Sequence, residues 1–261
     1  MTTAWEQVRA VADTVLYEGY LLYPYRASSR KNQCRWQFGV LGPPGAAEAG
    51  VGEEATLAAG FLIEDGRTLT LIVRFLQLQR RRVLRRDPRL GLVPVEELVT
   101  PAGTWLTWDE AVEREIALEP LNLADSRRSW KLPFTAPCGT DVEEIAGGQL
   151  VRIRRELRGT VSVEAATDGG MQRLRVTVAN TGVPAADRDE AIATSLIGTH
   201  LIAAVTGGHF VSLVDPPPGA TAAAARCRQR RCFPVLAGPP DVDDLLLISP
   251  IILYDHPQIA E

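Results

Sequence analysis

Two runs of strict alternation face each other across Asp168-Gly169-Gly170, and no other feature restricts the fold of this chain as much. Before the turn, Val161, Val163 and Ala165 alternate with Ser162 and Glu164. After it, Leu174, Val176 and Val178 alternate with Arg173, Arg175 and Thr177. A period of two sends apolar side chains to one face of a strand and polar ones to the other, which predicts an antiparallel hairpin with one buried and one wetted face. Leu57 to Ile63 and Thr68 to Gln79 flank Asp65-Gly66, a dipeptide suited to the positive φ angles of a tight turn, and predict a second hairpin. In its second strand Leu69, Leu71, Val73 and Phe75 share one face, while Ile72, Leu76 and Leu78 make the other apolar as well. That strand is expected to be central and covered on both sides.

Helices are expected to be few and short. Trp5, Val8, Ala12 and Val15 recur at three- and four-residue steps and predict a helix near 4–16. Thr107 followed by Glu110 has the form of a capping box, predicting a short acidic helix through Glu115. Asp187 is placed to cap a helix reaching about Val205, with Ile192, Leu196, Thr199 and Ile202 on one side. Pro216 to Pro218 ends a strand, an Ala-rich helix is expected over 220–228, and Leu245 to Tyr254 reads as a final buried strand. Gly42 to Gly52 is a loop, and Tyr17 to Val40 reads as strand, exposed loop, strand. The sum is an α+β fold of antiparallel, sandwich-like β-sheets with a few packing helices. It divides into a β-rich half with a leading helix (1–140) and a hairpin-and-helix half (141–261), or runs as one continuous domain.

Hydrophobic residues make up 46% of the 261, enough for a sizeable core. No apolar stretch approaches the roughly 20 residues of a membrane helix. The N-terminus lacks the basic and apolar regions of an export signal. Cys34, Cys138, Cys227 and Cys232 are scattered in the manner of reduced cytoplasmic thiols, not of a disulfide framework. A soluble, cytoplasmic protein is expected. The net charge of −4 does not favour general polyanion binding. Lys31 and Lys131 are the only lysines, so arginine clusters reflect coding bias before they reflect guanidinium chemistry.

The chain carries no GxxxxGKS/T phosphate loop, no GxGxxG, no GxSxG and no HExxH. A nucleophile would have to draw its base from His200, His209 or His256. Cys34, beside Arg35, is the candidate thiolate; its structural alternative is a half-buried strand cysteine. Cys227 and Cys232 lie among Arg226, Arg228, Arg230 and Arg231, a field that opposes a dication. His200 reads as a core histidine on the apolar helix, and His209 follows Gly207-Gly208 at a strand entrance. Asp255 and His256 are the weak metal candidates, and no cofactor is assigned.

Basic residues gather at Arg26, Arg30, Lys31 and Arg35, at Arg80, Arg81, Arg82, Arg85, Arg86 and Arg89, and around Cys227. With Tyr17, Tyr20, Tyr23, Tyr25 and Trp36 the first cluster has the composition of a nucleic-acid surface. Acidic residues such as Asp109, Glu110, Glu113 and Glu115 offset the arginines, which ranks internal pairing or a protein partner above RNA. Tyr, Trp and Arg are the residues that interfaces enrich. The candidate docking residues are Tyr23, Tyr25, Arg26, Ser28, Ser29, Arg30, Lys31, Asn32, Arg35 and Trp36.

The stretch YEGYLLYPYRASSRKNQCRWQFGVLGPPG (Tyr17 to Gly45) resembles the opening of an uncharacterised accessory protein family encoded beside uptake nickel–iron hydrogenase genes, of the actinobacterial type. LTWDEAVERE (Leu106 to Glu115), RDEAIATSLIGTHLI (Arg188 to Ile202) and SPIILYDHPQIA (Ser249 to Ala260) add to the likeness. The resemblance implies a non-catalytic role in assembling or maturing a hydrogenase, with hydrogenase subunits or maturation proteins as partners. It supplies no catalytic residues. The alternatives are a metal-handling or hydrolytic maturation factor and an RNA-binding protein.

Overall fold

The computed structural model describes residues 3–18, 38–125 and 128–259. The strand, loop and strand expected between Tyr17 and Val40 fall largely on residues 19–37, outside the described residues, as do Cys34 and all ten docking candidates from Tyr23 to Trp36. Among the described residues the chain forms three helices and sixteen strands.

Helix α1 (Ala4–Glu18) precedes β1 (Thr56–Glu64) and the long β2 (Thr68–Asp87). The short β3 (Gly91–Val95), β4 (Glu97–Thr100) and β5 (Gly103–Leu106) lead to β6 (Trp108–Ala117) and β7 (Leu121–Asn122). Next come β8 (Ser129–Ala136), β9 (Gly139–Ile145), β10 (Gly148–Arg154), β11 (Leu157–Asp168) and β12 (Met171–Asn180). Helix α2 (Arg188–Ala193), β13 (Ile197–Thr206), β14 (His209–Val211), α3 (Thr221–Ala224), β15 (Phe233–Leu236) and β16 (Leu245–Ser249) follow.

Five strands form one sheet in the order β14-β1-β12-β11-β8, and nine form a second built on β2. Along one edge β2 pairs first with β13 and then with β10; along the other it pairs with β7, β6 and β3 in turn. Every one of these pairings is antiparallel. Both sheets draw strands from either side of residue 140, since β1 pairs with β12 and β2 with β10 and β13.

One core cluster joins inward residues of both sheets: Phe61, Val163, Leu174 and Val176 from the first, Val73, Phe75, Leu201 and Ile248 from the second. Phe134 of β8 reaches across it, its ring 5.9 Å from that of Phe75. Directly opposite in the register stands Gly159, whose missing side chain leaves the place that the Phe134 ring fills. Gly159→Ala drives a methyl into that ring, and an overpacking loss of about 1–3 kcal/mol is expected in urea unfolding. The other face of the nine-stranded sheet is covered by α1, whose Val8, Val11, Ala12 and Val15 pack on Ile72, Ile202 and Leu247.

The hairpin about Asp168-Gly169-Gly170 forms as the alternation predicts, with Asp168 opposite Met171 and both glycines at positive φ. β2 is central and covered on both faces, as expected, although it continues to Asp87. Antiparallel β-structure is confirmed, and helices are so few that the fold approaches all-β. Among the described residues no helix is long and apolar enough to cross a membrane.

Five expectations are corrected. Thr107 caps no helix: its hydroxyl donates to the Val95 carbonyl oxygen and accepts from the Val83 amide, and β6 follows it. The helix capped by Asp187 stops at Ala193, and the apolar run beyond is β13. Asp65-Gly66 closes no hairpin, because β1 and β2 belong to different sheets and the turn is a corner between them. The last strand ends at Ser249, leaving Ile252 and Tyr254 exposed, and the Ala-rich helix covers only Thr221–Ala224.

Candidate functional site

Arg74 stands alone as a charge in the apolar run Leu69 to Leu76, on the face of β2 that also carries Ile72 and Leu76. It is only 4% exposed. Its cross-strand partner is His200, fully buried on β13. The ladder slips between Ile197 and His200, and Gly198 in the bulge has φ +62°. The bulge turns the Gly198 carbonyl oxygen to within 2.8 Å of His200 Nδ1. A carbonyl only accepts, so Nδ1 carries the proton and Nε2 keeps its lone pair. Nε2 and the neighbouring Arg74 Nη1 are both buried without a hydrogen-bond partner. Burial first, and the Arg74 charge with it, hold His200 down at a pKa of about 4, against the pull of the Gly198 bond and of Asp13. The ring is neutral at pH 7.

Three carboxylates surround the guanidinium. Asp13 of α1 approaches Arg74 Nη2 to 2.5 Å, and Glu115 and Glu113 of β6 lie 3.3 and 3.9 Å from it. Glu115 also pairs with Arg9, whose guanidinium lies 5.9 Å from the Trp5 ring centre. Tyr17 donates its hydroxyl proton to Glu113. Burial, Asp13 and Glu115 together hold the Glu113 carboxyl above the usual range. Arg74 therefore ties α1 and β6 to the centre of the sheet.

The described residues on either side of 19–37 meet at the same place. A Cβ on Gly198 would lie 3.4 Å from the Leu16 carbonyl oxygen, and one on Gly39 would lie 3.0 Å from the Gly198 carbonyl carbon. The Thr199 amide donates to Gly39, and Leu41 and Leu196 exchange both backbone hydrogen bonds. The flanking rings of Tyr17 and Phe38 are exposed. No protein-family model matches the chain, and no curated protein matches it significantly.

The remaining candidates lie elsewhere. Asp255 accepts from Ser212 Oγ at 2.5 Å and from the Leu236 amide at 2.8 Å, and the His256 amide donates to Leu236. His256 Nδ1 is 3.2 Å from the Gly238 carbonyl oxygen, so both residues clasp the C-terminal stretch to β15. Among the described residues no group of three His, Cys, Asp or Glu could hold a metal ion. Cys138, Cys227 and Cys232 are free. Burial raises the Cys227 thiol and pushes Cys232 up to about 12. His209 lies 3.3 Å from Glu64 at the start of β14.

Many of the clustered arginines are paired internally. Arg80 meets Asp109 at 3.3 Å, Arg81 meets Glu110 at 2.5 Å, and Arg86 meets Glu144 at 3.2 Å. Near Cys227, Arg226 pairs with Asp168, Arg230 with Glu54 and Arg231 with Glu53. The site that sequence reasoning missed is Arg74 with His200. Its signal was present: a single arginine inside a strand expected to be covered on both faces must have buried partners.

Proposed function

We propose that the chain is a non-catalytic accessory or assembly protein of a nickel–iron hydrogenase system. It works in the cytoplasm by binding a protein partner through the loop Arg26 to Gln33 and its aromatic flanks, presented from a sandwich-like scaffold. One observation carries this reading: Leu16 and Gly39, on either side of residues 19–37, both lie against Gly198, beside the buried Arg74 with its carboxylates, so the described chain before and after the stretch is held to the same place in the sheet. The basic and aromatic residues that join those ends suit an interface, where Arg and Tyr supply large contact area and forked hydrogen bonds. The resemblance of Tyr17 to Gly45 supplies the hydrogenase setting.

Co-purification with the hydrogenase subunits tests it. Arg26→Ala and Arg30→Ala should each lower recovery, by about 30-fold where the residue is an interface anchor worth about 2 kcal/mol. Unchanged recovery in both variants overturns the docking role.

A further inference from the structure

Beyond Gln79 the nine-stranded sheet continues as β10 and β9 on one edge of β2 and β3 on the other. One face of this extension is covered. The β4–β5 hairpin lies on it, with Thr107 bonding both Val83 and Val95 and Arg81 donating to the Leu106 carbonyl oxygen, and Val83 and Leu150 are fully buried there. Among the described residues nothing covers the opposite face, which further back carries α1, after Leu78. The register places Arg82, Val151 and Val142 in one row across β2, β10 and β9. Leu84, Pro94, Gln149 and Glu144 lie in a second row, Arg86 and Leu92 in a third, and Ile153 stands opposite Arg80. Val142 is 58% exposed, and Arg82, Leu92 and Pro94 are exposed too.

The charges on this face do not balance within the described residues. Arg80 has Asp109 and Arg86 has Glu144, but Arg82, between them, forms no ion pair among the described residues. We infer that this open face is a second docking surface, and that its occupant is a protein segment presenting apolar side chains with one carboxylate for Arg82. A second copy of the chain is the wrong occupant, because the carboxylates of its face, Asp109 and Glu144, already belong to Arg80 and Arg86 and leave Arg82 without a partner. A polyanion is wrong too, since Asp109 and Glu144 lie on the same face. The inference uses no residue of 19–37 and stands apart from the docking loop proposed above.

The test is a photo-cross-linking amino acid placed at Val142 in the full chain, in the cells that express it, with a control at the still more exposed Val183. Position 142 should yield an adduct with another protein, absent at 183, whose cross-linked peptide contains apolar residues and an Asp or Glu. Arg82→Glu and Arg82→Gln, with urea midpoints matching the parent chain, should cut its yield about tenfold or more. No adduct, an adduct with a second copy, a nuclease-sensitive adduct, or a yield indifferent to Arg82 overturns the inference. An Arg82-dependent adduct with a protein outside the hydrogenase system would keep this surface and remove the proposed setting instead.

Discussion

Replacing Arg74 by alanine should destabilise the fold by about 3 kcal/mol or more, the largest loss expected of a single substitution in this chain. Among the described residues the guanidinium is the one cation shared by Asp13, Glu113 and Glu115, which approach it from a helix and a strand. Without it the carboxylates repel one another, with Arg9 left to neutralise only Glu115, and a hole opens beneath α1. All three carboxylates remain partly exposed and can rehydrate, which keeps the loss at the lower end of the 3–5 kcal/mol typical of a broken buried pair. Arg74→Met retains the volume of the stem and should recover part of the loss, separating packing from charge. Urea midpoints at unchanged slope measure both variants. A shift of under about 1 kcal/mol in Arg74→Ala would show that α1 is not held through this residue.

How much of this was legible in the sequence depended on whether the spacing of apolar residues was ambiguous. The hairpin on either side of Asp168 was plain because its alternation runs over many residues with polar partners between, and only a strand has period two. The stretch after Thr107 was misread from the capping-box form of Thr107 and Glu110, and Trp108, Val112 and Ile116, four apart, do not correct it, since that spacing fits one face of a helix and also one face of a strand. What decided it lies far away in sequence: Asp109, Glu110 and Glu115 find Arg80, Arg81 and Arg74 along β2. β13 failed for another reason. It is apolar on both faces, Leu201 and Ala203 toward the core and Ile202 toward α1, and a continuous apolar run does not distinguish a buried strand from a buried helix. Asp65-Gly66 was rightly a turn, but turn chemistry does not choose the strand's partner. The internal pairing of the arginines was legible from the acidic residues after Thr107, even though the element carrying them was not.

The buried imidazole makes the second large prediction. His200 titrates near 4 in the folded chain and near 6.5 once unfolded, so between those values the unfolded state binds more protons. Its contribution to stability is complete above pH 6.5 and is lost as the pH falls: about 2 kcal/mol by pH 5 and about 3 kcal/mol by pH 4. Glu113 works in the opposite sense. Its carboxyl is held above the usual range, so the folded state takes up that proton first and gains stability as the pH falls through the raised value. Asp87, Asp141 and Asp168, all lowered by their hydrogen bonds, withdraw their contributions only below about pH 4, the unfolded value. The interval from pH 7 to 5 therefore belongs mainly to His200, and Glu113→Gln removes its counterweight. Urea unfolding across that interval should show the loss in the parent chain and a steeper one in Glu113→Gln. His200→Asn keeps a donor near the Gly198 carbonyl with nothing to titrate, and in it the loss should disappear, leaving only the opposite slope of Glu113. Equal slopes in the parent chain and His200→Asn would mean that the imidazole is not sealed, and that the anchor at Gly198 rests on Arg74 alone.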